Sequence, residues 1–192
     1  MIKPEPISFS EAERLSQIFD AENRDEWQQT SRIIEKLQLQ PDSVIADVGA
    51  GTGYFTRLFA AQVPQGKVYA LDSEPNMISY MARRFPAEHY PEIEIRLSQP
   101  DNPDLPAGLH IVFLANVYRF IRQRQAFLAS LYTQFTVGTR GMFVDLKLSQ
   151  AQVSPEQVKN EIESAGFRVL EMDMTSCPSH YILQFSKEQD AR

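Results

Sequence analysis

Residues 44–55 read Val-Ile-Ala-Asp-Val-Gly-Ala-Gly-Thr-Gly-Tyr-Phe, and this stretch decides the architecture of the 192-residue chain. Val44, Ile45, Ala46 and Val48 form the near-continuous apolar run of a strand covered on both faces, as a parallel sheet requires. Asp47 stands near its carboxyl end. Gly49, Gly51 and Gly53 then alternate, and three such residues in five predict a tight turn against a bound molecule, because glycine accepts positive φ and lets a ligand approach the main chain. A helix over 52–61 follows, with Phe55, Leu58 and Phe59 at core-facing spacing. A ligand here is expected to meet backbone N–H groups at a helix N-terminus.

Spacing narrows the ligand. A dinucleotide fingerprint places glycine three positions after Gly51, where this chain has Tyr54. Asp47 would face a diphosphate, so an uncharged or cationic ligand suits the turn better. The run Lys67-Val-Tyr-Ala-Leu ends at Asp72, an acid at a second strand tip, placed to accept from ribose hydroxyls. Asp-Val-Gly-Ala-Gly-Thr-Gly followed by Ala-Leu-Asp resembles the first two motifs of the class I S-adenosylmethionine-dependent methyltransferases. That resemblance implies an α/β fold: a Rossmann-like three-layer sandwich around a seven-stranded, mostly parallel sheet with the last strand antiparallel. It implies S-adenosyl-L-methionine as cofactor, held by Asp47, Gly49, Ala50, Gly51, Gly53, Asp72, Ser73, Met77, Asp101 and Asn116.

The rest of the chain fits that outline. Two helices, 8–20 and 24–39, precede the sheet as a cap (1–40) over the cofactor's mouth, and residues 41–192 make the core of a single methyltransferase domain. Trp27, Thr30, Ile34 and Leu37 share one stripe of the second helix; Trp27 reads as its anchor on the core or as a closure over substrate, and residues 23–26 as a solvated helix start. Ser73-Glu-Pro-Asn opens a helix in which Met77 and Met81 stand at packing positions. Ile93, Ile95 and Leu97 alternate with charged residues and predict a strand near a sheet edge. Asp101 follows in an acidic, proline-rich loop, where it reads equally as a turn acid and, by the resemblance, as a neighbour of the adenine amino group. Residues 109–117 are apolar on both faces and belong in the sheet centre beside the first strand. A helix over 122–135, a strand over 141–148, a capped helix from Ser154 to Ala165 and strands over 167–174 and 181–186 complete seven strands.

Composition excludes other classes. A net charge of −6 and a pI near 5.1 argue against nucleic acid, although Arg119, Arg122 and Arg124 gather locally. No segment has the length and apolarity of a membrane span, and Cys177 alone permits no internal disulfide, so a cytoplasmic location is expected. His89, His110 and His180 are too dispersed in sequence for a metal motif, and no metal is expected. Asp145 and Lys147 project from one side of the fifth strand as a candidate pair.

Ligands of open α/β sheets bind outside the carboxyl strand ends, so Asn116, Tyr118 and Tyr181 are the candidates around a small-molecule acceptor. Methyl transfer from a sulfonium needs positioning above all, and a general base only where the acceptor must lose a proton. The nearest resembling sequences begin the fourth strand with Asp and continue into a Tyr-His-His-like segment, where this chain has His110 and Tyr118-Arg119-Phe120. A binding or regulatory protein that keeps the fold without turnover is therefore the alternative. A nicotinamide-dependent reductase fits poorly, since no tyrosine has lysine four places on.

Overall fold

The computed structural model describes residues 11–147 and 152–188; the start of the predicted first helix, 8–10, and Leu148 lie outside them. Three short helices, α1 (Ala12–Phe19), α2 (Arg24–Gln28) and α3 (Thr30–Leu37), lead into β1 (Val44–Val48). There follow α4 (Tyr54–Gln62), β2 (Lys67–Asp72), α5 (Pro75–Arg84), β3 (Ile93–Leu97) and β4 (Ile111–Ala115). A single 3-10 turn at Tyr118–Phe120 precedes α6 (Arg124–Gln134), β5 (Arg140–Leu146), α7 (Pro155–Ser164), β6 (Arg168–Asp173) and β7 (His180–Ser186).

The strands form one seven-stranded sheet in the order β3-β2-β1-β4-β5-β7-β6. All pairs are parallel except those of β7, which runs antiparallel to both β5 and β6. The order reverses between β1 and β4, and a crevice outside their carboxyl ends is where such sheets take ligands. Because β7 is reversed, its first residue, His180, lies at that same end, opposite Leu146.

Both faces of the central strands are buried. Ile111 and Phe113 pack with Phe55, Phe59, Ile33 and Met81 on one side, whereas Val112 and Leu114 pack with Phe127, Leu131, Phe143 and Ile162 on the other. This alternation makes the sheet the middle of three layers, with α3, α4 and α5 on one face and α6 and α7 on the other. At the opposite, amino-terminal edge, His110 Nδ1 accepts from the Val44 N–H at 2.9 Å, so this histidine belongs to the strand lattice.

The predicted helix over 24–39 is instead two helices that break at Gln29, whose φ is +57°. Asp25 causes the break. Its Oδ1 accepts from Ser31 N (2.9 Å) and Thr30 Oγ1 (2.7 Å), and its Oδ2 from Ser31 Oγ (3.1 Å), so it caps α3 from within α2. These donors hold its carboxyl below the ordinary carboxylate range, with the Ser31 N–H first. The stripe shifts accordingly: Thr30, Ile33 and Leu37 are buried, and Trp27 leaves it half-exposed. Asp25→Ala is expected to cost about 1 kcal/mol, the usual worth of such a cap, measured as a loss in urea-unfolding stability.

Candidate active site

The glycine turn binds itself to the second strand. Gly49 N and Ala50 N both donate to Leu71 O (2.7 and 3.0 Å), and Gly51 N donates to Asp72 Oδ2 at 2.7 Å. Gly53 N donates to Ala50 O at 2.9 Å. Most of the N–H groups expected to meet a ligand are thus spent within the turn, which is rigid in consequence. Gly49, Gly51 and Gly53 all have positive φ. A methyl group at Gly49 would strike Val117 at 2.4 Å and one at Gly53 would strike Phe85 at 2.4 Å, but at Gly51 it would meet only the Phe19 ring at 3.7 Å. Gly51 therefore faces the one roomy side of the elbow, under the end of α1.

Asp72 is buried, and burial raises its pKa while the Glu74 and Gly51 N–H groups oppose the rise. Its Oδ1 accepts from Glu74 N at 2.9 Å. A carboxylate offers about four lone-pair positions, so capacity for sugar hydroxyls remains. Truncating it to alanine would also leave two turn N–H groups unpartnered.

Around this elbow three buried polar atoms have no partner among the described residues: Asp20 Oδ1, Gln28 Nε2 and Thr52 Oγ1. Two sets of bonds, meeting at the consecutive residues Phe19 and Asp20, hold them. Arg84 donates to Asp20 Oδ2 (2.7 Å) and Thr52 O (2.8 Å), and Arg24 donates from Nε to Gln28 Oε1 (2.6 Å) and from a terminal nitrogen to Phe19 O. Orphaned buried polar atoms are rare, and these three comprise an amide donor, a hydroxyl and a carboxylate acceptor, the chemistry that a zwitterionic ligand end would need. Arg24 is itself buried, with its guanidinium 4.0 Å above the Tyr54 ring and no carboxylate in ion-pair distance among the described residues. Burial pushes its pKa down to about 10, partly offset by Tyr54, Asp20 and Asp47. The expected solvated helix start at residues 23–26 does not hold for Arg24.

Asp47 lies beneath the elbow, fully enclosed, accepting from Thr56 Oγ1 at 2.6 Å. Desolvation lifts its pKa to about 7, with the Asp72 charge adding and the Thr56 bond and Arg24 opposing.

A second cluster occupies the tips of β4, β5 and β7. Asn116, just past β4, adopts φ +60°, a left-handed backbone uncommon outside glycine. Its Oδ1 receives Arg119 at 3.0 Å and His180 Nε2 at 2.9 Å. Arg119 also pairs with the buried Asp145, whose oxygens further accept from Arg119 N (3.2 Å) and Leu146 N (2.8 Å). Ser179 Oγ lies 2.8 Å from His180 Nδ1 and 3.2 Å from Trp27 O, and the Trp27 and His180 rings are 5.8 Å apart. Burial, reinforced by Arg119, Arg24 and Lys147, pushes His180 down to about 4, so it is neutral at pH 7.

Sequence reasoning passed over His180, Arg119 and Arg24, and it paired Asp145 with Lys147. In the structure Asp145 binds Arg119, and Lys147 donates to the Met174 and Cys177 carbonyls at 2.6 Å each. Of the predicted acceptor residues, Asn116 is central to the cluster. Tyr118 donates to Glu161 Oε2 of α7 at 2.7 Å, beside a bidentate Arg124–Glu161 pair, and its ring packs at a tilt against Phe143 in the core. Tyr181 is a fully buried core residue, with its pKa raised by burial. Of the predicted cofactor residues, Ser73 and Asp101 are exposed, and Met77 is buried against Ala12 and Leu15 of α1. Among the described residues no group of three or more His, Cys, Asp or Glu could hold a metal ion. A groove of about 820 Å³ between α6 and α7 shares no residue with either cluster and lacks their buried, strained or orphaned groups.

Comparison with known proteins agrees with this geometry. A family model described as a methyltransferase domain matches residues 46–140, from β1 to the start of β5. The malonyl-[acyl-carrier protein] O-methyltransferase of Serratia marcescens is 30% identical over 153 residues, 78% of this chain and 57% of that protein. The demethylmenaquinone methyltransferase of Symbiobacterium thermophilum is 33% identical over 100 residues, covering 49% of this chain and 39% of that one. The chain thus spans well under two thirds of these relatives' length. A crystal structure of a SAM-dependent methyltransferase from Aquifex aeolicus shares the fold at a TM-score of 0.81 with 20% identity, covering 94% of this chain and 98% of the other. The chain belongs to the class I S-adenosylmethionine-dependent methyltransferase family.

Proposed function

We propose that the chain is a single-domain S-adenosylmethionine-dependent methyltransferase acting on a small-molecule acceptor. The observation that carries this reading is the elbow itself: a glycine turn locked to Asp72, with the unpartnered atoms Asp20 Oδ1, Gln28 Nε2 and Thr52 Oγ1 and the carboxylate-free Arg24 about it. Asp72 would accept from the ribose hydroxyls. Arg24 and Gln28 would donate to the carboxylate of the amino-acid end, and Asp20 would accept from its ammonium. The bound cofactor supplies a methyl group on a positively charged sulfur, an electrophile that needs no further activation. The protein's task is to hold the acceptor in line with it, for which orientation alone is worth on the order of 7–11 kcal/mol in favourable cases.

The named relatives transfer methyl groups to malonyl-acyl carrier protein and to demethylmenaquinone, which supports methyl transfer here without fixing the acceptor. No helix among the described residues is long and apolar enough to cross a membrane. A cytoplasmic setting belongs to the same reading, supported by the single, buried Cys177. The net charge of −6 supports a partner other than nucleic acid.

Calorimetric titration with S-adenosylmethionine and S-adenosylhomocysteine tests the proposal. Micromolar binding of both is expected, weakened at least about tenfold by Asp72→Asn, which keeps one oxygen for the turn but loses the charge that strengthens sugar hydrogen bonds. Absence of binding by either cofactor would discard it. A second reading, cofactor binding without turnover, is favoured by Tyr118, whose hydroxyl is committed to Glu161. It predicts cofactor binding with no methyl transfer to any member of a broad acceptor panel.

A further inference from the structure

We propose that the Asn116–Arg119–His180 cluster is the acceptor subsite and that it takes a substrate presenting a carboxylate, which is methylated on oxygen. The proposal rests on the methyltransferase reading above.

Its first support is hydrogen-bond polarity. Two donors, Arg119 and His180 Nε2, converge on Asn116 Oδ1. This fixes the side-chain amide so that the oxygen is consumed, and Asn116 Nδ2, with its two N–H bonds, has no partner among the described residues. The same contact orients the histidine: Nε2 donates to Asn116 Oδ1, and Nδ1 lies 2.8 Å from Ser179 Oγ, a hydroxyl whose proton is shared with the Trp27 carbonyl. Asp145 is buried and neutralised by Arg119, with Oδ1 held by Arg119 and Leu146 N and Oδ2 by Arg119 N. The group left to meet a ligand therefore donates. An alcohol, thiol or ammonium acceptor would have to lose a proton, and the one carboxylate of this cluster is buried and paired with Arg119. A carboxylate has no proton to lose.

Charge is the second support. The groups acting on His180 are Arg119, Arg24 and Lys147, all cations. Among the described residues neither Arg24 nor Lys147 has a carboxylate in ion-pair distance, since Lys147 is satisfied by the Met174 and Cys177 carbonyls. With Arg119 paired to Asp145, Arg24 and Lys147 are the cations of this corner that carry no neutralising carboxylate. The half-exposed Trp27 and Phe120, beside His180 and Arg119, supply apolar walls. The third support is backbone strain: Asn116 holds φ +60° at a strand tip, where such outliers persist only when their surroundings impose them.

The reaction balances without acid or base. A carboxylate oxygen forms a bond to the methyl carbon, the carbon–sulfur bond breaks, and its electron pair returns to sulfur. One negative and one positive charge disappear, leaving a neutral methyl ester and a neutral thioether.

The test is calorimetry on the S-adenosylhomocysteine complex, titrated with propane-1,2,3-tricarboxylate and glutarate and, as a control of similar span, pentane-1,5-diamine. Carboxylate binding near or below about 1 mM is expected, with none by the diamine. Asn116→Gly removes the donors while accepting the left-handed backbone, so it should fold, and it should weaken carboxylate binding roughly tenfold beyond any change in its own cofactor affinity. His180→Gln, which still offers an N–H to Asn116, should retain more affinity than His180→Ala. The subsite is refuted if cofactor binds but no carboxylate does, if the diamine binds as well, or if Asn116→Gly binds carboxylates like the wild type. Should the cofactor itself not bind, the methyltransferase reading fails separately, and carboxylate titration of the free protein decides the subsite alone.

Discussion

Asp47→Asn is expected to stabilise the protein at pH 8 by on the order of 3–4 kcal/mol while leaving its stability at pH 4 nearly unchanged. The wild-type carboxyl is enclosed under the glycine elbow and titrates near 7 in the folded chain, against about 4 when unfolded. Between those values the folded state binds more protons than the unfolded state, so this group's contribution to stability is full below about pH 4 and is lost as pH rises through 7. Asparagine mimics the protonated acid, can still accept from Thr56, and carries no charge to desolvate. His180 works in the opposite sense: folded near 4 against about 6.5 unfolded, it removes stability as pH falls through that interval. The two slopes partly cancel in the wild type, so the difference between wild type and Asp47→Asn, from urea unfolding across pH 4–8, isolates the carboxyl. Parallel curves would mean that Asp47 is ionised throughout.

The place of this acid at the end of the first strand was legible in the sequence, but its enclosure was not: position alone had it facing the ligand, and the structure turns it under the elbow onto Thr56. Apolar runs such as residues 44–48 and 111–115 announce strands covered on both faces, and the three glycines announce the elbow, because both are local demands on backbone and solvation. Asp72 followed from its place at a strand end. What stayed hidden depends on contacts between segments far apart in the chain. The three histidines look scattered, yet reversal of β7 carries His180 to the tips of β4 and β5 and leaves His110 at the other edge of the sheet. Residues 23–26 look like a solvated charge run. The signal was their spacing: Arg24, Trp27 and Gln28 share one face of α2, and two of the three are buried. Tyr118 looked like an acceptor contact because it follows β4, but the 3-10 turn sends its hydroxyl to Glu161.

Helix α2 joins the two clusters. Arg24 leans on Tyr54, the first residue of α4, while Trp27 faces His180 and its carbonyl lies beside Ser179. A five-residue helix thereby spans from the proposed amino-acid end of the cofactor to the proposed acceptor. The Asp25 cap ties this helix to the start of α3.

Arg24→Met should accordingly weaken S-adenosylhomocysteine binding by about 100-fold or more, the scale of 2–5 kcal/mol seen when one member of a buried, charged hydrogen-bonded pair is truncated. Folding should suffer less. The guanidinium is buried without a neutralising carboxylate, so removing it recovers desolvation energy that offsets the lost bonds to Gln28 Oε1 and Phe19 O. Methionine also preserves the apolar packing over Tyr54 and Phe55. Arg24→Lys restores charge without the planar fork and should recover only part of the affinity. The discriminating ligand is 5′-methylthioadenosine, which has the nucleoside and sulfur but ends in a methyl group where the cofactor carries its amino acid. If Arg24 holds the carboxylate, this ligand binds wild type and Arg24→Met alike. Equal loss for both ligands would instead make Arg24 a strut of the α1–α2 junction, and no loss for either would remove it from the site.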